Sequence, residues 1–91
     1  MYYIYHTKSF KKSLKNVLAS GKIKRKDIET VVNILSIGKK LPQKYHDHDL
    51  QGEYADYREC HIKPDLLLVY KIDKNKLVLI LVDLGSHSNL F

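Results

Sequence analysis

Apolar positions in the first half of this chain recur at helical spacing, whereas those in the last third fall in nearly unbroken runs. Residues 2–6 alternate weakly and read as a short strand. From Thr7, an N-cap residue type, Phe10, Leu14, Val17 and Leu18 form one helical stripe, and Lys8, Lys11, Lys12 and Lys15 fill the other faces. Ser20-Gly21 ends that helix, since glycine accepts the left-handed conformation common at helix C-termini. A second helix is predicted from about Lys24 to Ile37, with Ile28, Val31, Val32, Ile34 and Leu35 as its stripe and Gly38 as its stop. Two amphipathic helices joined by so short a turn form an antiparallel hairpin, and one face of each needs cover.

The second half supplies the cover. Pro42 follows the helix end, and Lys39 to Asp49 reads as a polar connection with the character of a surface loop. Gly52 to Tyr54 is a candidate strand start, and Tyr57 to Lys63 is a clearer strand. Lys63-Pro64-Asp65 is a turn, because proline pre-sets the backbone at the second turn position. Leu66 to Ile72 is nearly all apolar, as in a central strand covered on both faces. Asp73 to Lys76 turns the chain back into a last apolar strand, Leu77 to Val82. From Gly85 onward runs a short tail, in which Leu90 is expected to dock on the sheet. The order predicts one α+β domain over residues 1–91: an N-terminal strand, a two-helix antiparallel hairpin, antiparallel sheet strands and a short C-terminal tail.

Composition narrows the function. With 91 residues, 44% hydrophobic and 29% charged, the chain suits an ordinary globular domain with one modest core. No apolar run approaches the ~20 residues that span a bilayer. The opening Met-Tyr-Tyr-Ile-Tyr-His lacks the basic-then-apolar order of a signal peptide, so neither leader nor membrane span is expected. Cys60, the single cysteine, cannot form an internal disulfide, which suits a reducing cytoplasm. The formal net charge is +6, from 16 Lys and Arg against 10 Asp and Glu, and favours a polyanionic partner. Only Arg25 and Arg58 are arginines, so most of that charge sits on lysines, which attract a phosphate backbone better than they read bases.

Four of the five histidines lie in the second half, among carboxylates. On a strand over 57–63, Tyr57, Glu59 and His61 share one face, and Arg58, Cys60 and Ile62 take the other. Cys60 and Ile62 suit the core, which turns Glu59 and His61 away from it. Asp65, just past the turn, is placed to approach His61. A carboxylate beside an imidazole can hold a tautomer or share acid/base work; the alternative is an exposed Glu-x-His pair on a solvated sheet face. His46-Asp47-His48-Asp49 is the densest polar run, and a surface loop explains it better than a zinc site, given a single cysteine. His87, flanked by Ser86 and Ser88, is either a positioned functional group or part of a helix-start hydroxyl cluster, and Phe91 either docks or offers a ring for a base to stack on.

At these residues the chain resembles the RelE/ParE toxin superfamily, specifically the YafQ-type messenger-RNA interferases of bacterial type II toxin–antitoxin systems. The resemblance covers essentially the whole chain and rests on Asp47-His48-x-Leu50-x-Gly52, Tyr57-Arg58-Glu59-Cys60-His61-Ile62-Lys63-Pro64-Asp65, Val69-Tyr70 and Gly85-Ser86-His87-Ser88-x-Leu90-Phe91. It implies a cytoplasmic endoribonuclease, without metal or small-molecule cofactor, that cuts mRNA at the ribosomal A site and is silenced by a cognate antitoxin. In that chemistry the ribose 2′-hydroxyl attacks the adjacent phosphate, which calls for a base, an acid and charge stabilisation.

By motif position His48, Glu59, His61, Asp65 and His87 are the catalytic candidates, and Arg58, Lys63 and Phe91 the RNA-binding ones. The resemblance makes His87 the general acid, pairs His61 with Asp65 on the base side, and gives His48 the phosphate. Relatives commonly carry an arginine two residues before the tail glycine. Asp83 stands there in this chain, so the phosphate loses a cation and gains a repelling carboxylate. That departure leaves a weakly cleaving RNA- or ribosome-binding module as one alternative. A ParE-like gyrase inhibitor, which would lack this histidine set, is the other.

Overall fold

The protein is described by a computed structural model covering residues 1–90. Along the chain lie β1 (Tyr3–His6), α1 (Lys8–Ala19), α2 (Arg25–Ser36), β2 (His48–Asp49), β3 (Arg58–Lys63), β4 (Leu66–Asp73), β5 (Val78–Gly85) and the one-turn α3 (His87–Leu90). Short 3-10 turns occupy Gln43–Tyr45 and Gly52–Tyr54. Thr7 caps α1 as its residue type predicts, accepting from the Phe10 amide at 3.0 Å. The same hydroxyl donates to the Val82 carbonyl at 2.6 Å, which ties the helix start to β5. At the start of α2 the Asp27 carboxylate accepts from the Lys24 amide at 3.4 Å.

The five strands form one sheet in the order β1-β5-β4-β3-β2. Pairing is antiparallel from β2 through β5, but β1 runs parallel to β5, with Tyr3 opposite Val78 and His6 opposite Leu81. The sheet is therefore mixed, where an antiparallel one was expected. A hairpin dictates its own direction, but β1 has no hairpin partner, and alternation within four residues carries no information about which edge it joins.

Two further differences lie in the connection. Gly52–Tyr54 is a 3-10 turn, with Gly52 at φ +68°, rather than a strand start. His48–Asp49, read as loop, is a two-residue edge strand that pairs His48 with Glu59 and Asp49 with Arg58.

Both long helices cover one sheet face. Phe10, Ile28, Val31, Val32 and Leu35 meet Cys60, Ile62, Leu66, Leu68, Tyr70, Leu79, Leu81 and Leu84 in one buried core. Leu67 and Val69 point the other way along β4 and are buried outside that core cluster. The expectation of a central strand covered on both faces therefore holds for β4. On the face away from the helices, His61 pairs with Leu67 and Leu67 with Gly85, so the end of β3, the start of β4 and the end of β5 share one end of the sheet.

Candidate active site

Strand alternation on β3 works as predicted: Cys60 and Ile62 join the helix-side core, and Glu59 and His61 share the opposite face. Glu59 is not solvated there. It is 4% exposed, and a carboxylate so buried requires compensating partners. Two imidazoles supply them: His48 Nε2 lies 3.4 Å and His61 Nε2 3.8 Å from Glu59 Oε1. The rings of His46 and His48 stand 5.5 and 6.3 Å from that of His61, so two imidazoles meet one buried acid and a third stands beside His61.

His48 reaches this position from β2, and its other nitrogen is also engaged. Nδ1 lies 2.7 Å from the His46 carbonyl oxygen, which makes Nδ1 the proton-bearing donor. His46 presents that carbonyl from a left-handed conformation, φ 48° and ψ 43°, at the end of the 3-10 turn. With Nδ1 protonated, Nε2 bonds to Glu59 only when a second proton lies between them, on the ring or on the carboxyl. The His48–Glu59 contact is thus suited to holding a proton or a positive charge beside the acid.

The segment carrying these histidines is tied to the sheet by a polar network. Arg58 donates through Nη2 to Asp47 at 2.9 Å, through Nη1 to Asp49, and through Nε to the Tyr70 hydroxyl at 3.3 Å, and that hydroxyl donates to Asp47. Asp47 raises the Arg58 guanidinium above its ordinary value, chiefly through the hydrogen bond. Burial, reinforced by the bond to Asp47, raises the Tyr70 hydroxyl. The guanidinium expected to contact RNA is thus committed to two carboxylates of the His46–Asp49 segment. Cys60, fully buried beneath the site, has its thiol pushed up to about 12 by loss of solvation, which keeps it a core residue rather than a nucleophile.

Asp65 departs from its expected place. Among the described residues it makes no hydrogen bond or ion pair with His61; the acid facing His61 is Glu59. Asp65 lies in the exposed β3–β4 turn and lines a cavity of about 410 Å³ with Lys63 and Asn89 of the tail. Asp65 sits in the turn between the strands, whereas Glu59 is held two residues from His61 on the same face of β3.

The tail docks as expected of Leu90. A Cβ placed on Gly85 would lie 3.6 Å from both Asn89 Cβ and Leu90 Cδ2. Ser86 Oγ accepts from the Asn89 amide at 3.3 Å and starts α3, which begins at His87. Gly85 is two strands from His61, roughly 10 Å at ~4.8 Å per strand, and His87 lies two residues beyond it. Phe91 lies outside the described residues.

Asp83 pairs with Val69, which pairs with Glu59, yet its carboxylate does not stand open to the site. The Ser13 hydroxyl of α1 donates to it at 2.7 Å, and the Leu84 amide at 2.8 Å. Among the described residues no group of three or more His, Cys, Asp and Glu side chains is arranged to hold a metal ion.

Sequence reasoning did not single out His46, Asp47 or Tyr70 as parts of the site. A tyrosine closing an apolar strand was the available signal, since a buried hydroxyl needs a partner. Nothing local marks the carbonyl of His46.

Known proteins match this chain in sequence and in fold. Residues 2–91 fit the family model described as the bacterial toxin of type II toxin–antitoxin systems, YafQ. The mRNA interferase toxin YafQ of Escherichia coli strain K12 is 41% identical over 51 residues, 56% of this chain and 53% of that protein. The aligned segment thus spans about half the length of that curated relative. A metal-bound toxin from Helicobacter pylori superposes with a TM-score of 0.91 at 48% identity, covering 100% of both chains. YafQ in the E. coli DinJ–YafQ toxin–antitoxin complex superposes with a TM-score of 0.88 at 28% identity, covering 99% of this chain and 97% of that one. This chain belongs to the YafQ family of toxins of bacterial type II toxin–antitoxin systems.

Proposed function

We propose that this protein is an endoribonuclease toxin of the cytoplasm that cleaves mRNA at the ribosomal A site through its own side chains, without a metal. The observation that carries the reading is the buried Glu59 held between the imidazoles of His48 and His61. Acid/base work at neutral pH is what such a cluster suits, and a basic chain draws RNA to it.

His61 takes the proton of the ribose 2′-hydroxyl, and Glu59 stabilises the imidazolium so formed. The 2′-oxygen forms a bond to phosphorus as the bond to the 5′-oxygen breaks. His87, arriving with the tail, protonates that leaving oxygen. His48 offers positive charge to the phosphate from beside Glu59, and Lys63, 46% exposed at the strand end, adds a second cation. Asp65, beside the tail, belongs to the acid side of the reaction, and Phe91 supplies a stacking ring. Products then carry a 2′,3′-cyclic phosphate and a 5′-hydroxyl.

Mapping cut ends on RNA, with and without ribosomes, tests the chemistry. His61→Ala and His87→Ala are each expected to lower the rate about 100-fold or more, and full cleavage by both variants overturns the assignment. Activity is expected to persist in EDTA and to follow a bell-shaped pH profile between roughly pH 5 and 8.

Binding without turnover is favoured by one observation: Asp83, at the position where the family resemblance implies an arginine, offers the phosphate no cation. RNA or ribosome binding with no cut ends would establish it. The partner proposed from the E. coli DinJ–YafQ complex is a cognate antitoxin, acidic in the part that meets this basic chain.

A further inference from the structure

Beside the histidine cluster lies a cavity of about 640 Å³ between the start of α2, the Gln43–Tyr45 turn and the end of β3. Its wall includes His61, so the cavity adjoins the proposed reaction centre. Two cations line it. Lys63 Nζ lies 3.7 Å from Asp27 Oδ2, a loose pair with side chains 46% and 33% exposed, and such pairs yield readily to a phosphate. Lys44 stands 5.1 Å over the ring of Tyr45, which also lines the cavity.

The α2 wall has a different chemistry. Both contacts of the Asp27 carboxylate, from the Lys24 amide at 3.4 Å and from Lys63, fall on Oδ2. Among the described residues Oδ1 makes none. The Thr30 hydroxyl spends its proton on the Lys26 carbonyl at 2.9 Å, so what it offers a ligand is a lone pair. One wall therefore offers acceptors, the rim offers cations, and Tyr45 and His46 offer rings. The ligand that satisfies all three has a phosphate, a flat ring and an N–H donor at the ring edge.

We propose that this cavity is a base-selecting subsite for the nucleotide next to the scissile phosphate, which accepts adenine or cytosine through the exocyclic amino group and rejects uracil. Uracil would turn its O4 acceptor toward Asp27 and Thr30, leaving acceptor against acceptor. The proposal rests on the ribonuclease reading, but its binding step can be measured without any cleavage.

The intact protein is titrated with AMP, CMP and UMP and followed by NMR. AMP and CMP are expected to shift signals of Tyr45, His46 and Lys63 and to bind about tenfold more tightly than UMP. Asp27→Asn, which adds a donor, is expected to narrow the gap between CMP and UMP. Thr30→Val does the same without touching the cap of α2, and Lys63→Gln weakens all three alike. In parallel, RNAs differing only in the base beside the cut are digested by the wild type and Asp27→Asn. Equal binding of CMP and UMP by the wild type, or discrimination unchanged in both wall variants, overturns the subsite even if RNA is cut. Selective binding with no cleavage supports the subsite and overturns the ribonuclease reading instead.

Discussion

Cys60 is the residue whose protonation most plainly reports the fold. Burial pushes its thiol up to about 12, above the ~8.5 of an exposed cysteine. A raised value in the folded state means that stability is fully present below the unfolded value and is lost as pH rises through the folded one. The unfolding free energy from urea titrations should therefore fall between about pH 9 and 12, by roughly 3 kcal/mol near pH 10.5 at ~1.4 kcal/mol per pKa unit. Cys60→Ala should start from lower stability, because it leaves a cavity in the core, yet decline less over that range. Tyr70, also raised, contributes with the same sign. Iodoacetamide should leave native Cys60 unmodified at pH 8 and modify it promptly in urea. At this scale the chemistry of Glu59 and His61 was legible, since a period of two separates them from Cys60 and Ile62 on any strand. The burial of Glu59 was not, because it depends on β2 and β4.

At the scale of elements, β2 is the weak member. Two paired residues do not make a strand stable by themselves, so the Arg58–Asp47–Tyr70 network holds His48 over Glu59. Tyr70→Phe should destabilise the protein by about 1–3 kcal/mol, because Asp47 loses a donor at a partly buried site. Amide exchange in residues 47–49 should quicken, and cleavage should fall through misplacement of His48. Arg58→Lys should not restore either property, since an ammonium cannot fork to two carboxylates and a hydroxyl.

The tail offers a second test at this scale. Gly85→Ala introduces only ordinary contacts with Asn89 and Leu90 and should be near neutral, whereas Gly85→Val should lift α3 and lower cleavage while the circular dichroism of the sheet persists. The helices and apolar strands followed from spacing and turn residues. The direction of β1 and the existence of β2 did not, because each depends on a partner distant in sequence.

For the whole molecule, the charge of +6 predicts how RNA is held. Because the cations are mostly lysines, affinity for a single-stranded oligonucleotide should weaken as salt rises from about 50 to 200 mM. The log–log slope should be about −0.7 per phosphate neutralised. Lys63→Gln should lower the magnitude of that slope by about one phosphate's share, while Asp83→Ala should leave it unchanged and reduce stability by about 1 kcal/mol through loss of the bonds from Ser13 and Leu84. A slope unaffected by Lys63→Gln would remove that side chain from the RNA path.

Sequence alone determined the α+β class, the two helices with the Thr7 cap and the glycine stops, the apolar strands, the basic charge and the residue types from which a proton-transfer site is built. These follow from local periodicity, from composition and from motifs that keep their spacing wherever the chain folds. Tertiary structure decided which residues meet. It placed β1 beside β5, made Glu59 rather than Asp65 the acid facing His61, committed Arg58 to Asp47 and Asp49, and turned Asp83 toward Ser13. Each of those outcomes depends on strand order and register, which pair residues across intervals that no local pattern spans.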